Sequence, residues 1–385
     1  MSTRYEGKDV SREAKSDESS AEGIMRIAKL LALCLLIALL GAGTTACTKI
    51  GYYSQAIGGQ LSILSKRQPI EALIADPETD PQLRSRLQLV LAARTFASDE
   101  LALPDNKSYR TYVDLKRPYA VWNVFAAPEL SLEPLQWCFV VVGCLNYRGY
   151  FSPDGAAKFA IKLSEKGHDV YVAGIAAYST LGWFHDPVLN TMLRSSDAEV
   201  AGLIFHELAH QRLYVRDDTE FNESFAMTVE REGVKRWLAH SGSETEFHSY
   251  ETIKRRRQQF IELIMQFRRR LEETYASDTP VDAKRATKAA LFDELRQSYR
   301  KLSAQWDDYR GYDAWFAQDL NNAHLVPIGL YNQYVPSFQA LLAEHGNDLR
   351  AFYEAAEALG KLPQPERAAR LRSLQHAKAE KLRYR

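Results

Sequence analysis

The spacing of apolar residues divides the chain into helical and extended stretches. From about residue 55 to 103, Ile57, Leu61 and Leu64, then Leu83, Leu87, Val90 and Leu91, recur at intervals near three and four. That spacing predicts helices, with Pro81 near a start. Between 105 and 144 the run Tyr119-Ala120-Val121-Trp122-Asn123-Val124-Phe125 and its neighbouring prolines predict strand and loop. A helix is expected from Ser152-Pro153 to Gly167, then a strand over 169–173 and a loop over 177–187. Residues 198–213 and 221–238 read as two amphipathic helices, and past Ser241 the chain is helical and charged to its end. There Arg255-Arg256-Arg257 and Arg268-Arg269-Arg270 flank the apolar Phe260, Ile261, Leu263 and Ile264, as on a long solvent-exposed helix. Glu262, Glu272 and Glu273 interleave with them, so the triplets read as a solvated face rather than a nucleic-acid surface. The pattern predicts an α+β fold with a small mixed sheet and a large helical C-terminal part.

Composition changes little in this picture. The 385 residues are 46% hydrophobic, enough for a substantial core. Lys+Arg and Asp+Glu both total 49, which gives no bias toward nucleic acid. The N-terminus is more informative. Residues 1–24 are polar and without hydrophobic period, and Met25-Arg26-Ile27-Ala28-Lys29 then leads into an apolar run over 30–42. Gly43-Thr44-Thr45-Ala46 and Cys47 follow. A basic patch, an apolar stretch and small residues are the parts of a secretory signal. Translation is therefore expected to begin at Met25, leaving 1–24 as an upstream extension and 25–46 as signal peptide. Cys47 resembles the processing site of bacterial lipoproteins, with Thr44 where an aliphatic residue is usual. The body is expected in the bacterial cell envelope, facing the periplasm, held by a lipidated Cys47 or an uncleaved N-terminal anchor. Outside the cytoplasm Cys138 and Cys144 suggest a disulfide; two small buried thiols are the alternative.

One segment carries chemistry. In His206-Glu207-Leu208-Ala209-His210 the two histidines are four apart, so a helix projects both imidazoles from one face and they can share one metal ion. Glu207 lies beside that face, where its carboxylate can take a proton from an attacking water. A third ligand is needed, and Leu213 and Arg216 stand where a histidine-rich continuation would need Gly and His. Glu223 opens the next helix after twelve intervening residues, enough for one sharp reversal that returns it to the histidines. Two His and one Glu leave a fourth position open on Zn²⁺. Asn222 and Glu230 are candidates to orient these ligands.

The motif His206-Glu207-Leu208-Ala209-His210-Gln211 with Asn222-Glu223-Ser224-Phe225-Ala226 and Val229-Glu230 resembles that of the gluzincin aminopeptidases, with a shorter spacer. The stretch from about 51 to 237 is similar to a family of bacterial lipoprotein aminopeptidases. It shares Trp122-Asn123-Val124-Phe125-Ala126-Ala127-Pro128-Glu129, Tyr147-Arg148-Gly149-Tyr150-Phe151 and Ala177-Tyr178-Ser179-Thr180-Leu181-Gly182-Trp183-Phe184. The resemblance implies a zincin-like metallopeptidase core over 104–240, between a helical segment over 47–103 and a helical part over 241–385. It implies one Zn²⁺ on His206, His210 and Glu223, Glu207 as general base and a peptide substrate. Such a site also needs an oxyanion donor. Tyr334 is the first candidate and Tyr331 the second, ahead of His324. An aminopeptidase further needs a carboxylate for the substrate's α-amine, and Glu129 and Asp186 are the candidates. His185 reads as a turn residue, and the 169–173 strand as an edge for extended peptide. A zinc endopeptidase and a non-catalytic zinc-binding envelope lipoprotein remain as alternatives.

Overall fold

The computed structural model describes residues 52–139, 143–177, 180, 184–242 and 244–383, with 376–383 as backbone. The expected upstream extension, the signal peptide and Cys47 lie outside the described residues. Residues 52–64 are helical (α1). The chain divides into two units, Met1–Gln60 and Leu61–Arg385, and the second holds every element from β1 onward. No described helix is long and apolar enough to cross a membrane.

Short strands and long helices alternate: β1 (Gln68–Pro69), α2 (Ile70–Ala75), α3 (Pro81–Asp99), β2 (Thr111–Val113), β3 (Val121–Pro128), β4 (Trp137–Phe139), β5 (Gly143–Leu145) and β6 (Arg148–Tyr150). Then come α4 (Pro153–Ser164), β7 (His168–Ile175), β8 (Val188–Leu189), α5 (Asp197–Arg212) and α6 (Thr219–Ser241). The C-terminal part is α7 (Glu244–Ala276), α8 (Val281–Ser303), α9 (Asp313–Phe316), α10 (Asn322–Asn332), α11 (Val335–Glu344), α12 (Leu349–Gly360) and α13 (Gln364–Arg383). The fold is α+β. The helices start where side chains satisfy the first backbone N–H groups. Asp80, Ser152 and Asp218 cap α3, α4 and α6, and Ser196 with Glu199 forms a reciprocal capping box on α5.

The main sheet, β6-β3-β7, is wholly antiparallel; parallel pairing is confined to β2 with β8 in a second sheet of very short strands. Alternation along β3 gives the main sheet two covered faces. Phe125 and Ala127 pack with Ala323, Val326 and Leu330 of α10. On the other face Tyr150, paired with Trp122, meets Phe159 of α4. A disulfide joins Cys138 to Cys144, directly opposite each other across β4 and β5.

Two cores divide the helices. The larger one gathers α3, α5, α6, α11, α12 and α13, with Phe225 against Phe338, Phe352 and Tyr353. The second lies between α7 and α8, where Phe260, Ile264, Phe267 and Leu271 meet Leu291, Phe292, Leu295 and Tyr299. α7 is thus buried along one stripe rather than solvent-exposed throughout. Its basic triplets also hold neighbours: Arg256 donates to the Trp306 carbonyl and Arg268 to that of Leu325, while Arg270 pairs with Glu294.

Candidate metal centre

Amphipathic patterning understates how deep the two site helices lie. In α5 the buried side chains run through Val200, Ala201, Ile204, Phe205, His206, Glu207, Leu208, Ala209 and His210, covering every face, while Leu203 is only partly buried. A helix apolar nearly all round belongs in a core. Two glycines bring α5 and α6 together. A Cβ on Gly202 would lie 2.9 Å from Val234 Cγ2 and 3.3 Å from Glu230 Cγ, and one on Gly233 would lie 2.7 Å from Phe205 Cδ2. Any larger residue would push the helices apart.

The reversal between the helices is built from its own side chains. Asn222 accepts from the Val215 N–H and donates to the Val215 carbonyl, each at 2.7 Å, closing the turn one residue before Glu223. Asp218 caps α6 and forms a buried ion pair with Arg367 of α13 at 2.7 Å. Asp217, at φ 65°, accepts from the Cys144 N–H at 2.6 Å, so the disulfide hairpin rests on this turn. Gly143 permits that approach, since a Cβ there would lie 2.3 Å from Asp217 Oδ1.

The reversal brings together the three expected ligands. His206 Nε2 and His210 Nε2 are 3.2 Å apart, and Glu223 Oε2 lies 3.4 Å from the first and 3.6 Å from the second. Ligand atoms held tetrahedrally at ~2.0–2.1 Å from one ion are about 3.3–3.4 Å apart, which this triangle matches. Among the described residues Glu223 Oε2 is buried with no hydrogen-bond partner, and a buried unpaired oxygen facing two ring nitrogens fits a missing cation. The three residues can hold a metal ion. Glu230 accepts from His206 Nδ1 at 3.1 Å and so fixes the ring with Nε2 toward the other ligands. His210 Nδ1 has no such partner among the described residues.

Charge in the cluster is strongly coupled. Burial favours a neutral His206, but the carboxylates of Glu223 and Glu230 outweigh it and raise its pKa to about 10. Burial works against the Glu223 carboxylate, and the two histidines reverse this, lowering its pKa to about 2. Glu207 is buried, and burial pushes its carboxyl above the usual range; His206 and His210 oppose this, and Glu223 and Asp186 add to it. A carboxylate so raised is suited to take and return a proton near neutral pH.

The two candidate tyrosines lie in different electrostatic surroundings. α10 ends at Asn332 and Tyr334 caps α11, so the two phenols part. Tyr334 is buried with its N–H on Ser224 Oγ, and burial and then Glu220 and Asp218 raise the pKa of its phenol. Burial raises Tyr331 well above the ordinary phenol value, and Glu223, Tyr147 and Glu207 add to it. Tyr331, not Tyr334, therefore sits in the field of the ligand set. Tyr214, pushed to about 12 by burial and Glu223, also borders it and was not singled out by sequence. The only sequence sign of Tyr214 was its place four residues past His210.

The remaining candidates differ in their surroundings. His324 stacks on Tyr171 with centroids 4.3 Å apart, bonds Asn321, and is lowered to about 4 by burial. His185 is exposed. Glu129 makes a bidentate pair with Arg285 of α8, at 2.8 and 2.9 Å. Asp186 is buried, accepts from the Thr180 N–H and hydroxyl at 2.9 and 2.8 Å, and is the one of the two acids that borders Glu207.

Helix pair and ligand triangle together define a protein able to hold a metal ion beside a buried glutamate. A family model described as "Putative aminopeptidase" matches residues 51–371, and the chain belongs to that family. No curated protein and no solved structure matches it.

Proposed function

We propose that the protein is a zinc-dependent aminopeptidase with a zincin-like core. The observation that carries this reading is the His206–His210–Glu223 triangle, with ligand spacings of a tetrahedral ion, next to the buried Glu207. Zinc bound by these three residues would supply an acidified water and a polarised scissile carbonyl.

This chain's own groups do the rest. Glu207 takes the proton of the attacking water and delivers it to the departing amine. Tyr331 donates from its hydroxyl to the oxygen that becomes negative as the carbonyl is attacked. Glu230 keeps His206 in one tautomer, and Asn222 holds the turn that presents Glu223. Asp186 receives the α-amine of the substrate, in preference to Glu129, which Arg285 engages elsewhere. Location is part of the proposal. The signal-like segment before Cys47 supports an envelope protein anchored by lipid and facing the periplasm, and the Cys138–Cys144 disulfide suits an oxidising compartment.

Hydrolysis of free peptides against their N-acetylated forms by zinc-loaded protein tests the exopeptidase assignment. Acetylation is expected to lower kcat/KM about a hundredfold, because the amine's charged contact is lost. Equal rates on both would instead indicate an endopeptidase.

A further inference from the structure

Where α6 and α7 meet the start of α11 lies a cavity of 920 Å³ that touches the metal centre only through Glu230, the partner of His206. That volume suits a small molecule. Its lining carries as many acidic as basic side chains, so any selectivity must come from placement rather than net charge. Arg231 decides the matter. Its guanidinium is largely buried and donates to Asn332 Oδ1 at 3.2 Å, a neutral partner. Among the described residues no carboxylate lies within 4.0 Å of it. Glu230, at longer range, favours its charged form, and a largely enclosed charge so weakly compensated is costly.

Arg257 worsens the imbalance. Its nearest acid is Glu230, at 3.8 Å from Oε1, while the other oxygen of that carboxylate holds His206 Nδ1 at 3.1 Å. Two guanidiniums thus face one carboxylate that is already engaged. The remaining acids are committed locally. Glu199 accepts from the Ser196 N–H and hydroxyl, Glu251 pairs with Lys254 at 2.9 Å, and Glu262 accepts from Gln258. Burial, and then repulsion from Arg257, lowers the pKa of Arg231. Tyr250, Tyr309, Tyr312 and Pro336 supply flat and apolar wall.

We propose that this cavity binds a small organic carboxylate with an apolar or aromatic body, gripped by Arg231 and Arg257, and that its occupation is felt at the metal centre through Glu230. The carboxylate supplies the missing counter-charge and draws Arg257 off Glu230. Glu230 then accepts more strongly from His206 and makes that ring a better ligand. Binding in the cavity stands independently of the peptidase reading; only the coupling rests on His206 being a ligand.

Phenylacetate and its neutral amide, phenylacetamide, are the probes, titrated calorimetrically into the purified protein with and without zinc. Phenylacetate is expected to bind about tenfold tighter than the amide, as a charge-assisted contact requires. Arg231→Gln should erase that preference. Arg257→Gln, at a half-exposed position, should do the same and covers the case in which Arg231→Gln fails to fold. Phenylacetate should tighten zinc binding roughly fivefold, and Glu230→Gln should remove this effect while leaving the probe bound. Equal binding of both probes, binding of neither, or a preference that survives both arginine variants would overturn the site. A zinc effect that persists in Glu230→Gln would overturn the coupling. Absence of peptidase activity alongside the expected phenylacetate binding would count against the proposed function alone.

Discussion

α5–α6 and α7–α8 are both adjoining helix pairs, yet they are built on opposite terms. α5 and the first half of α6 are buried on nearly every face, and the helices approach through Gly202 and Gly233, with little side chain between them. α7 and α8 meet along one apolar stripe and hold surface partners such as Arg270–Glu294 on the rest. In the first pair polar groups are answered by one another, as Glu230 answers His206 and Asn222 answers Val215, and the exceptions, His210 Nδ1 and Glu223 Oε2, both belong to the metal ligands. In the second pair most polar groups have water available. The contrast teaches where substitutions should matter: the buried pair has no slack, and the exposed pair has much.

The largest expected effect is on chemistry alone. Glu207→Gln should retain zinc, measured by metal analysis, while hydrolysis falls by roughly 10²–10⁴. Full activity in that variant would remove Glu207 from the mechanism. Next comes the tyrosine pair. Tyr331→Phe is expected to lower kcat by about 10²-fold with KM little changed, and Tyr334→Phe to leave kcat alone; the reverse result would reinstate Tyr334. Third, Gly202→Ala should lose about 1–3 kcal/mol in denaturant unfolding, because the new methyl meets Val234 and Glu230. Glu294→Ala on the exposed pair should leave the melting temperature unchanged within error. A tolerant Gly202 would end the contrast between the pairs.

The smallest effect is a proton count. Metal-free His206, raised to about 10, is charged at neutral pH and must lose its proton to become a ligand. Zinc uptake near pH 7 should therefore release about one proton, seen as a buffer-dependent heat, and affinity should weaken as pH falls. The metal-free fold has its own pH window. His206 stabilises it fully below its unfolded value of 6.5, and this is lost as pH rises through about 10. Glu223 stabilises it above its unfolded value of 4.5, and this is lost as pH falls toward about 2. Between 4.5 and 6.5 both contributions are present.

The ligands were legible because helix geometry fixes them. Four residues place His206 and His210 on one face, and a spacer allowing one reversal brings back Glu223. Most elements were legible for the same local reason, including the strand around 169–173 and the helix opened by Ser152-Pro153. What failed to show depends on contacts across the chain. Tyr331 and Tyr334 are both tyrosines near a helix break, and only the packing of α10 against β3 decides which faces Glu223. Gly202 and Gly233 look like helix-weakening residues until the neighbouring helix is known. The main sheet's purely antiparallel pairing is equally invisible, because it depends on which strands meet, and one of them, β6, is only three residues long.

β4 and β5, joined by Cys138–Cys144 and resting on Asp217, brace the turn that delivers Glu223. A covalent link between the two strands narrows the range of arrangements they can sample. The redox state of two cysteines outside the metal centre thus bears on how firmly its third ligand is presented.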